Sequence, residues 1–286
     1  MSAKILDGKA MSDALRQEIA ARVVKLKEKG ITPGLAVILV GNDPASEIYV
    51  RNKGKGCEEV GIYSRTIRLP EETSQETLEE EIEKLNADDA IHGILVQLPL
   101  PKHLDSHAAL ARILPEKDVD GFHLLNAGRL MAGTEGVIPC TPRGAMYMIK
   151  STGVDLNGKE AVVIGRSDIV GKPMAMLLMH ENCTVTICHS RTKNLAEHTR
   201  RADILVAAVG KAGFTVTEDM VKPGAIVIDV AINRADGRIW GDVDFDRVKE
   251  KASWITPVPG GVGRMTITML LDNTVDAAER MPALGK

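Results

Sequence analysis

Tyr49 and Lys53 stand four residues apart, the spacing that puts two side chains on one face of a helix. A phenol beside an amine can hold and pass a proton, although on these two residues alone a solvated helix surface is the plainer reading. Gln97 closes an apolar run that reads as a strand, and parallel α/β sheets place ligands at such carboxyl ends. Asp118 and Asp120 fall in Lys117-Asp-Val-Asp-Gly121, where turn capping explains a carboxylate as well as chemistry does. Gly165-Arg-Ser-Asp-Ile-Val-Gly171 is a glycine-rich strand-to-helix turn, a form that aims backbone N–H groups at a pyrophosphate. It departs from G-x-G-x-x-G: Ser167 takes the middle glycine position and the last glycine comes one residue late. The loop Pro257-Val-Pro-Gly-Gly-Val-Gly263, with Pro259, Gly260 and Gly261 at its centre, is rigid and then flexible and can let backbone approach a ligand closely.

These residues need a frame, and strand-then-helix alternation supplies one. In the first half we expect an amphipathic helix over 9–29, a strand over 35–40 and a helix starting at Pro44 behind Asp43. A strand over 62–69, an acidic helix over 74–86 and a strand over 91–98 follow. The first half closes near Asp120-Gly121, and a turn at Pro139-Cys-Thr-Pro142 opens the second. Strands over 161–164, 183–188, 204–209 and 225–230 then make a four-stranded doubly wound sheet. A final helix over 265–281 folds back on the first half. The expected architecture is α/β: two lobes with parallel sheets, the second Rossmann-like, with the active-site cleft between them. The expected division is 1–141, completed by 265–286, against 142–264.

Composition narrows the function. The 286 residues are 44% hydrophobic and 26% charged, with 36 Lys and Arg against 39 Asp and Glu. That balance speaks against a nucleic-acid partner, which would call for a basic excess. Two Trp, three Tyr and three Phe leave little for stacking on single strands. No apolar stretch is long enough to span a bilayer, and the first residues do not read as a secretory signal, so no membrane partner is expected. The four cysteines form no C-x-x-C pair, which suits reduced thiols in a cytoplasmic protein. His103 and His107 have helical spacing but no third ligand nearby, so they read as a solvated helix face and no metal is expected.

The strand ending near Cys188 bears on which dinucleotide the glycine turn would take. An NAD site usually sets an acid there for the ribose 2′-hydroxyl. Here the stretch is His189-Ser190-Arg191-Thr192-Lys193, with Arg166 in the turn itself. Guanidinium and hydroxyl groups suit a 2′-phosphate, so NADP is favoured over NAD, although a basic solvated loop would read the same.

Taken in order, seven segments carry a resemblance: Val40-Gly-Asn-Asp-Pro-Ala-Ser46, Tyr49-x-x-x-Lys53-x-Lys55, Val96-Gln-Leu-Pro-Leu-Pro101, Lys117-Asp-Val-Asp-Gly121, Asn126-Ala-Gly-Arg-Leu130, Gly165-Arg-Ser167 and Pro257-Val-Pro-Gly-Gly-Val-Gly263. The series resembles the bifunctional methylenetetrahydrofolate dehydrogenase/methenyltetrahydrofolate cyclohydrolase family over nearly the whole chain. Tyr-x-x-x-Lys also occurs in short-chain dehydrogenases, but there the nucleotide turn comes first, so that family does not fit. The resemblance implies oxidation of 5,10-methylenetetrahydrofolate with NADP, then hydrolysis to 10-formyltetrahydrofolate. It implies that Lys53 is catalytic with Tyr49 and Gln97 in support, and that Asp120 binds the pterin ring. It implies NADP contacts at Gly165, Arg166, Ser167, Ser190, Arg191 and Ile232, and a homodimer. Two residues depart from the family pattern: Ala231 replaces a glycine, and Arg264 replaces a proline. The second is expected to loosen Gly260–Gly263 ahead of the last helix. Two other readings stand beside this one: a two-lobed NADP dehydrogenase of the shikimate type, and a non-catalytic NADP-binding regulator.

Overall fold

Gly-Leu-Ala-Val-Ile-Leu-Val has no side chain that seeks water. In the computed structural model, which describes residues 2–235 and 237–284, all seven are buried in one strand, Gly34–Val40. In chain order the elements are β1 (Lys4–Ile5), α1 (Gly8–Glu28), β2 (Gly34–Val40), α2 (Pro44–Val60), β3 (Tyr63–Leu69), α3 (Gln75–Asn86), β4 (Gly93–Val96), α4 (Ser106–Arg112), α5 (Leu124–Ala132) and α6 (Cys140–Ser151). Then come β5 (Glu160–Ile164), α7 (Gly171–His180), β6 (Thr184–Cys188), α8 (Leu195–Thr199), β7 (Ile204–Ala207), β8 (Ile226–Asp229), β9 (Asn233–Ala235), β10 (Arg238–Trp240), α9 (Phe245–Val248), β11 (Trp254–Ile255) and α10 (Val262–Leu284). Contacts group Ala14–Cys140 with Ile267–Lys286, here the Lys53 unit, and Met1–Asp13 with Thr141–Thr266, here the glycine-turn unit.

In the Lys53 unit three parallel strands lie in the order β3-β2-β4. Ile38, Ile94, Leu78, Ile82 and Leu85 pack into one buried cluster. Strand β2 is central because both of its faces are apolar; β3 alternates between exposed and half-buried positions and takes an edge. Helix α2 begins where Asp43 accepts the Ser46 N–H at 2.8 Å and Pro44 fills the first turn. It ends at Gly61, whose φ of +81° closes the last turn. The chain runs from β2 outward to β3, then returns to the other side of β2 as β4. The carboxyl ends of β2 and β4 therefore flank a topological switch point, where α/β sheets bind ligands.

The glycine-turn unit has six parallel strands in the order β1-β11-β8-β7-β5-β6. Val162, Leu205, Val227 and Ile255 anchor its core. Its switch point lies between β5 and β7, since the chain leaves β5 for β6 and comes back as β7. β9 and β10 form a separate antiparallel pair.

Several features differ from the sequence-based expectation. The larger sheet has six strands, not four, because β1 and β11 are two residues long and carry no periodicity. Strand β1 pairs with β11, which puts the opening residues in the glycine-turn unit. Pro139-Cys-Thr-Pro142 opens helix α6 and not a turn; Pro142 sits in the first turn, where a missing N–H costs nothing. His103 and His107 share no helix. α4 begins at Ser106, and His103 Nε2 lies 2.9 Å from the Thr73 carbonyl. Among the described residues no helix is long and apolar enough to cross a membrane. All four cysteines are free and buried, and burial pushes the Cys57 thiol up to about 12.

Candidate functional site

Lys53 and Gln97 meet at the β2/β4 switch point. Lys53 Nζ donates to Gln97 Oε1 at 3.0 Å, and Gln97 Nε2 donates to the Leu98 carbonyl at 2.7 Å. The second bond fixes which end of the amide faces the lysine. The Gln97 backbone N–H is tied to the Ile38 carbonyl of β2 at 2.9 Å, so the residue is seated on the sheet. Tyr49 lies one helical turn before Lys53 and is half-buried. An amine held at a strand's carboxyl end by an oriented amide is equipped to carry a proton.

The next motif divides its labour residue by residue. Lys117 is buried and donates to the carbonyls of Leu85, Asn86 and Asp88 at 3.1, 2.9 and 2.8 Å, closing the end of α3. Asp118 is buried and accepts from the N–H groups of Phe122 and His123 and from Asn126 Nδ2, which fixes the start of α5. Gly121 has φ +74°, and a Cβ there would fall 2.6 Å from Pro139 N. Asp120 takes neither of these structural roles. It keeps partial exposure, but protein atoms surround its carboxyl, and that burial raises it to about 6. The Lys53 charge opposes the rise and Asp118 adds to it. Cys140 Sγ lies 3.3 Å from the Val119 carbonyl and 3.9 Å from Asp120 Oδ1, while Asn273 of α10 donates to the same Val119 carbonyl at 2.8 Å.

At the β5/β7 switch point the backbone is what has been shaped. Gly165 has φ +135°, and a Cβ there would stand 2.4 Å from the Ala208 carbonyl; one at Gly171 would stand 2.4 Å from the Gly165 carbonyl. Ser167 Oγ accepts from the N–H groups of Val170 and Gly171 at 3.2 and 3.3 Å and so closes the turn that leads into α7. Beyond β6, His189 N donates to Thr192 Oγ1 and Arg191 N to His189 Nδ1, a closed turn that leaves Ser190 and Arg191 exposed. Arg166 and Arg191 make no ion pair among the described residues. Ile232 is 40% exposed beyond β8. Two guanidinium groups and a hydroxyl around a glycine turn fit a dinucleotide that carries an extra phosphate.

The loop before α10 is tighter than expected. Gly260 has φ +108°, Gly261 is buried, and a Cβ on Gly8 would fall 2.1 Å from the Gly261 carbonyl. Arg264 follows no loose segment: α10 begins at Val262, and Arg264 N already donates to the Gly261 carbonyl at 3.1 Å. Pro259 is exposed and Gly260 half-buried. Tyr49, Lys53, Gln97 and Asp120 thus belong to the Lys53 unit, while Gly165, Arg166, Ser167, Ser190, Arg191, Ile232, Pro259, Gly260 and Gly261 belong to the other. Sequence reasoning quoted Lys117 and Asn126 within motifs without giving them a role, and it missed Asn273; a buried polar residue has no period to reveal it. Among the described residues no group of three or more His, Cys, Asp or Glu side chains is arranged to hold a metal ion.

Two family models match the chain. Residues 6–120 match the catalytic domain of tetrahydrofolate dehydrogenase/cyclohydrolase, and residues 139–282 its NAD(P)-binding domain. The chain is 62% identical to the Bifunctional protein FolD of Dechloromonas aromatica over 285 residues, covering 99% of this chain and 100% of the relative. It is similar to the crystal structure of the bifunctional FolD methylenetetrahydrofolate dehydrogenase/cyclohydrolase from Campylobacter jejuni, with TM-score 0.96, 51% identity and coverage of 98% and 100%. It is also similar to the Trypanosoma brucei methylenetetrahydrofolate dehydrogenase-cyclohydrolase solved with NADP cofactor and inhibitor, with TM-score 0.93, 40% identity and 99% of each chain covered.

Proposed function

The chain belongs to the tetrahydrofolate dehydrogenase/cyclohydrolase family, and from that premise we propose how its residues divide the family's two reactions. It is a methylenetetrahydrofolate dehydrogenase and methenyltetrahydrofolate cyclohydrolase. The first reaction removes a hydride from 5,10-methylenetetrahydrofolate and leaves a cation shared by two nitrogens; the second adds water and releases 10-formyltetrahydrofolate and a proton. NADP, when bound, accepts the hydride.

No proton moves at the carbon in the oxidation, so there the protein's task is alignment. Asp120 accepts from the donor edge of the pterin ring and sets its depth. Pro259, Gly260 and Gly261 supply backbone against the same substrate. Hydrolysis differs because a proton must move. Lys53 takes it from the attacking water and returns it to N5 as the carbon–N5 bond breaks. Gln97 holds Lys53 on that line, and Tyr49 lines the substrate one turn away. Gly165 and Ser167 hold the pyrophosphate of NADP, Arg166 with Ser190 and Arg191 its 2′-phosphate, and Ile232 packs on the nucleotide.

The observation that carries this reading is Lys53 Nζ held 3.0 Å from Gln97 Oε1, with its charge acting on Asp120. The division of labour follows: residues 1–141 with 265–286 take the folate and 142–264 the NADP, though β1 joins the latter's sheet. A cytoplasmic homodimer completes the proposal; reduced thiols support the first term and the family resemblance the second. Incubation with methylenetetrahydrofolate and NADP should yield reduced nucleotide and then 10-formyltetrahydrofolate. Reduced nucleotide without hydrolysis of added methenyltetrahydrofolate would defeat the role given to Lys53.

A further inference from the structure

Two carboxylates at the carboxyl ends of β7 and β8 have no part in the chemistry above. Asp229 ends β8 and is 3% exposed; Asp242 is fully buried. Asp229 Oδ1 accepts the N–H groups of Ala231 and Asp242 at 3.1 and 3.0 Å, and its Oδ2 accepts that of Val243 at 2.9 Å. Asp242 Oδ2 accepts the N–H groups of Val209 and Gly210 at 2.7 and 3.0 Å, and its Oδ1 accepts Asn233 Nδ2 at 3.2 Å. The chain is cut to fit them: a Cβ at Gly241 would fall 2.0 Å from Asp229 Oδ2.

The loops they grip matter. Val209-Gly210 follows β7, and Ala231-Ile232-Asn233 follows β8, both at the carboxyl ends of parallel strands. Ile232 lies between one residue held by Asp229 and another held by Asp242. A carboxylate accepting backbone N–H groups fixes peptide orientation more strongly than a neutral acceptor does. Burying one is costly, and desolvation raises the Asp229 carboxyl to about 6. Core packing alone does not call for two such groups at one end of the sheet.

We propose that Asp229 and Asp242 are positioning residues for NADP: they hold the loops after β7 and β8 in the shape that the nucleotide meets. This rests on the assignment of NADP to the glycine-turn unit. NADP affinity of the unmodified protein, measured by calorimetry, tests that assignment by itself. Asp242→Asn keeps the shape and removes the charge, and it should weaken NADP binding by about tenfold. The KM for NADP should rise alike, with kcat at saturating nucleotide changed by less than about twofold. In the nucleotide-free variant the amides of Val209 and Gly210 should exchange with solvent faster than in the parent. Parental NADP affinity together with parental exchange at Val209 and Gly210 would overturn the proposal. Should the variant not fold, the unmodified protein decides. Gly210 is exposed, yet its N–H is held, so it should exchange at least about tenfold more slowly than exposed Gly213 after correction for intrinsic rates. Equal rates at the two glycines would refute the grip of Asp242 on this loop.

Discussion

The two switch points are built from different parts of the chain. Between β2 and β4, side chains hold side chains: Gln97 orients Lys53, and the groups around Asp120 set its charge. Between β5 and β7, the backbone is fixed and the cationic side chains are left outside. Gly165 and Gly171 close on one another, while Arg166 and Arg191 stand exposed. The contrast suits the tasks proposed for the two regions. Moving a proton needs one atom held in place, and a misplacement of about 1 Å is expensive. Holding a polyanion needs many donors, and flexible cations tolerate small errors.

The comparison breaks most visibly at Lys53. Lys53→Met should cut hydrolysis of methenyltetrahydrofolate by about 100-fold or more, the usual scale for a lost proton carrier. Oxidation of methylenetetrahydrofolate should suffer less, and separate assays of the two steps show the split. Equal losses would mean that Lys53 aligns and does not transfer protons.

Gly171→Ala attacks the other region through its backbone. The added methyl meets the Gly165 carbonyl at 2.4 Å. Overpacking of this kind costs about 1–3 kcal/mol, so NADP affinity should fall by about tenfold, with hydrolysis nearly spared. A variant that binds NADP as the parent does would show the turn to be a mere connection.

Arg166→Ala keeps the turn and removes a recognising charge. One charge-assisted contact is worth about 1.5–3 kcal/mol, so the preference for NADP over NAD should drop by about tenfold or more. Specificity constants for both nucleotides settle it; an unchanged ratio would shift the role to Arg191.

Acidity sharpens the Lys53 side. Burial keeps the Asp120 carboxyl protonated up to about pH 6, whereas an ordinary aspartate at 3.8 would be ionised there. As pH falls through about 6 the acceptor is lost, and the KM for methylenetetrahydrofolate should rise a few-fold. Asp120→Asn does not titrate and should flatten that limb of the profile. An inflection that survives in Asp120→Asn belongs to another group.

The smallest effect is expected at Arg264. Proline would set φ for the first turn of α10 but give up the bond to the Gly261 carbonyl. These offset within about 1 kcal/mol. Both Michaelis constants of Arg264→Pro should therefore stay within about threefold of the parent at low and high salt. A rise that grows at low salt would make Arg264 a ligand contact.

Much of this is legible in the sequence, for reasons that can be named. β2, β5 and β8 announce themselves because buried parallel strands are short apolar runs. α2 does so because Asp43-Pro44 is a cap followed by a first-turn proline. Gln97 and Lys53 were found as strand-end and helix-spaced residues. Asp120 was separable from Asp118 only by family resemblance, since the difference lies in which backbone amides Asp118 receives. β1 and β11 were invisible because two residues make no pattern. Asp242 was invisible because its partners Val209, Gly210 and Asn233 come together only in the folded chain.

The four buried thiols carry a practical consequence. Burial raises Cys57, Cys183 and Cys188 above the ordinary thiol range, and the nucleophilic form is the thiolate. An alkylating reagent therefore reacts slowly with these three, and it reaches any of the four buried sulfurs only when the chain opens around it. With Cys57 and Cys140 in the Lys53 unit and Cys183 and Cys188 in the other, site-resolved labelling works as a pair of internal clocks. Each counts how often its own unit opens, with no probe attached to the protein beforehand.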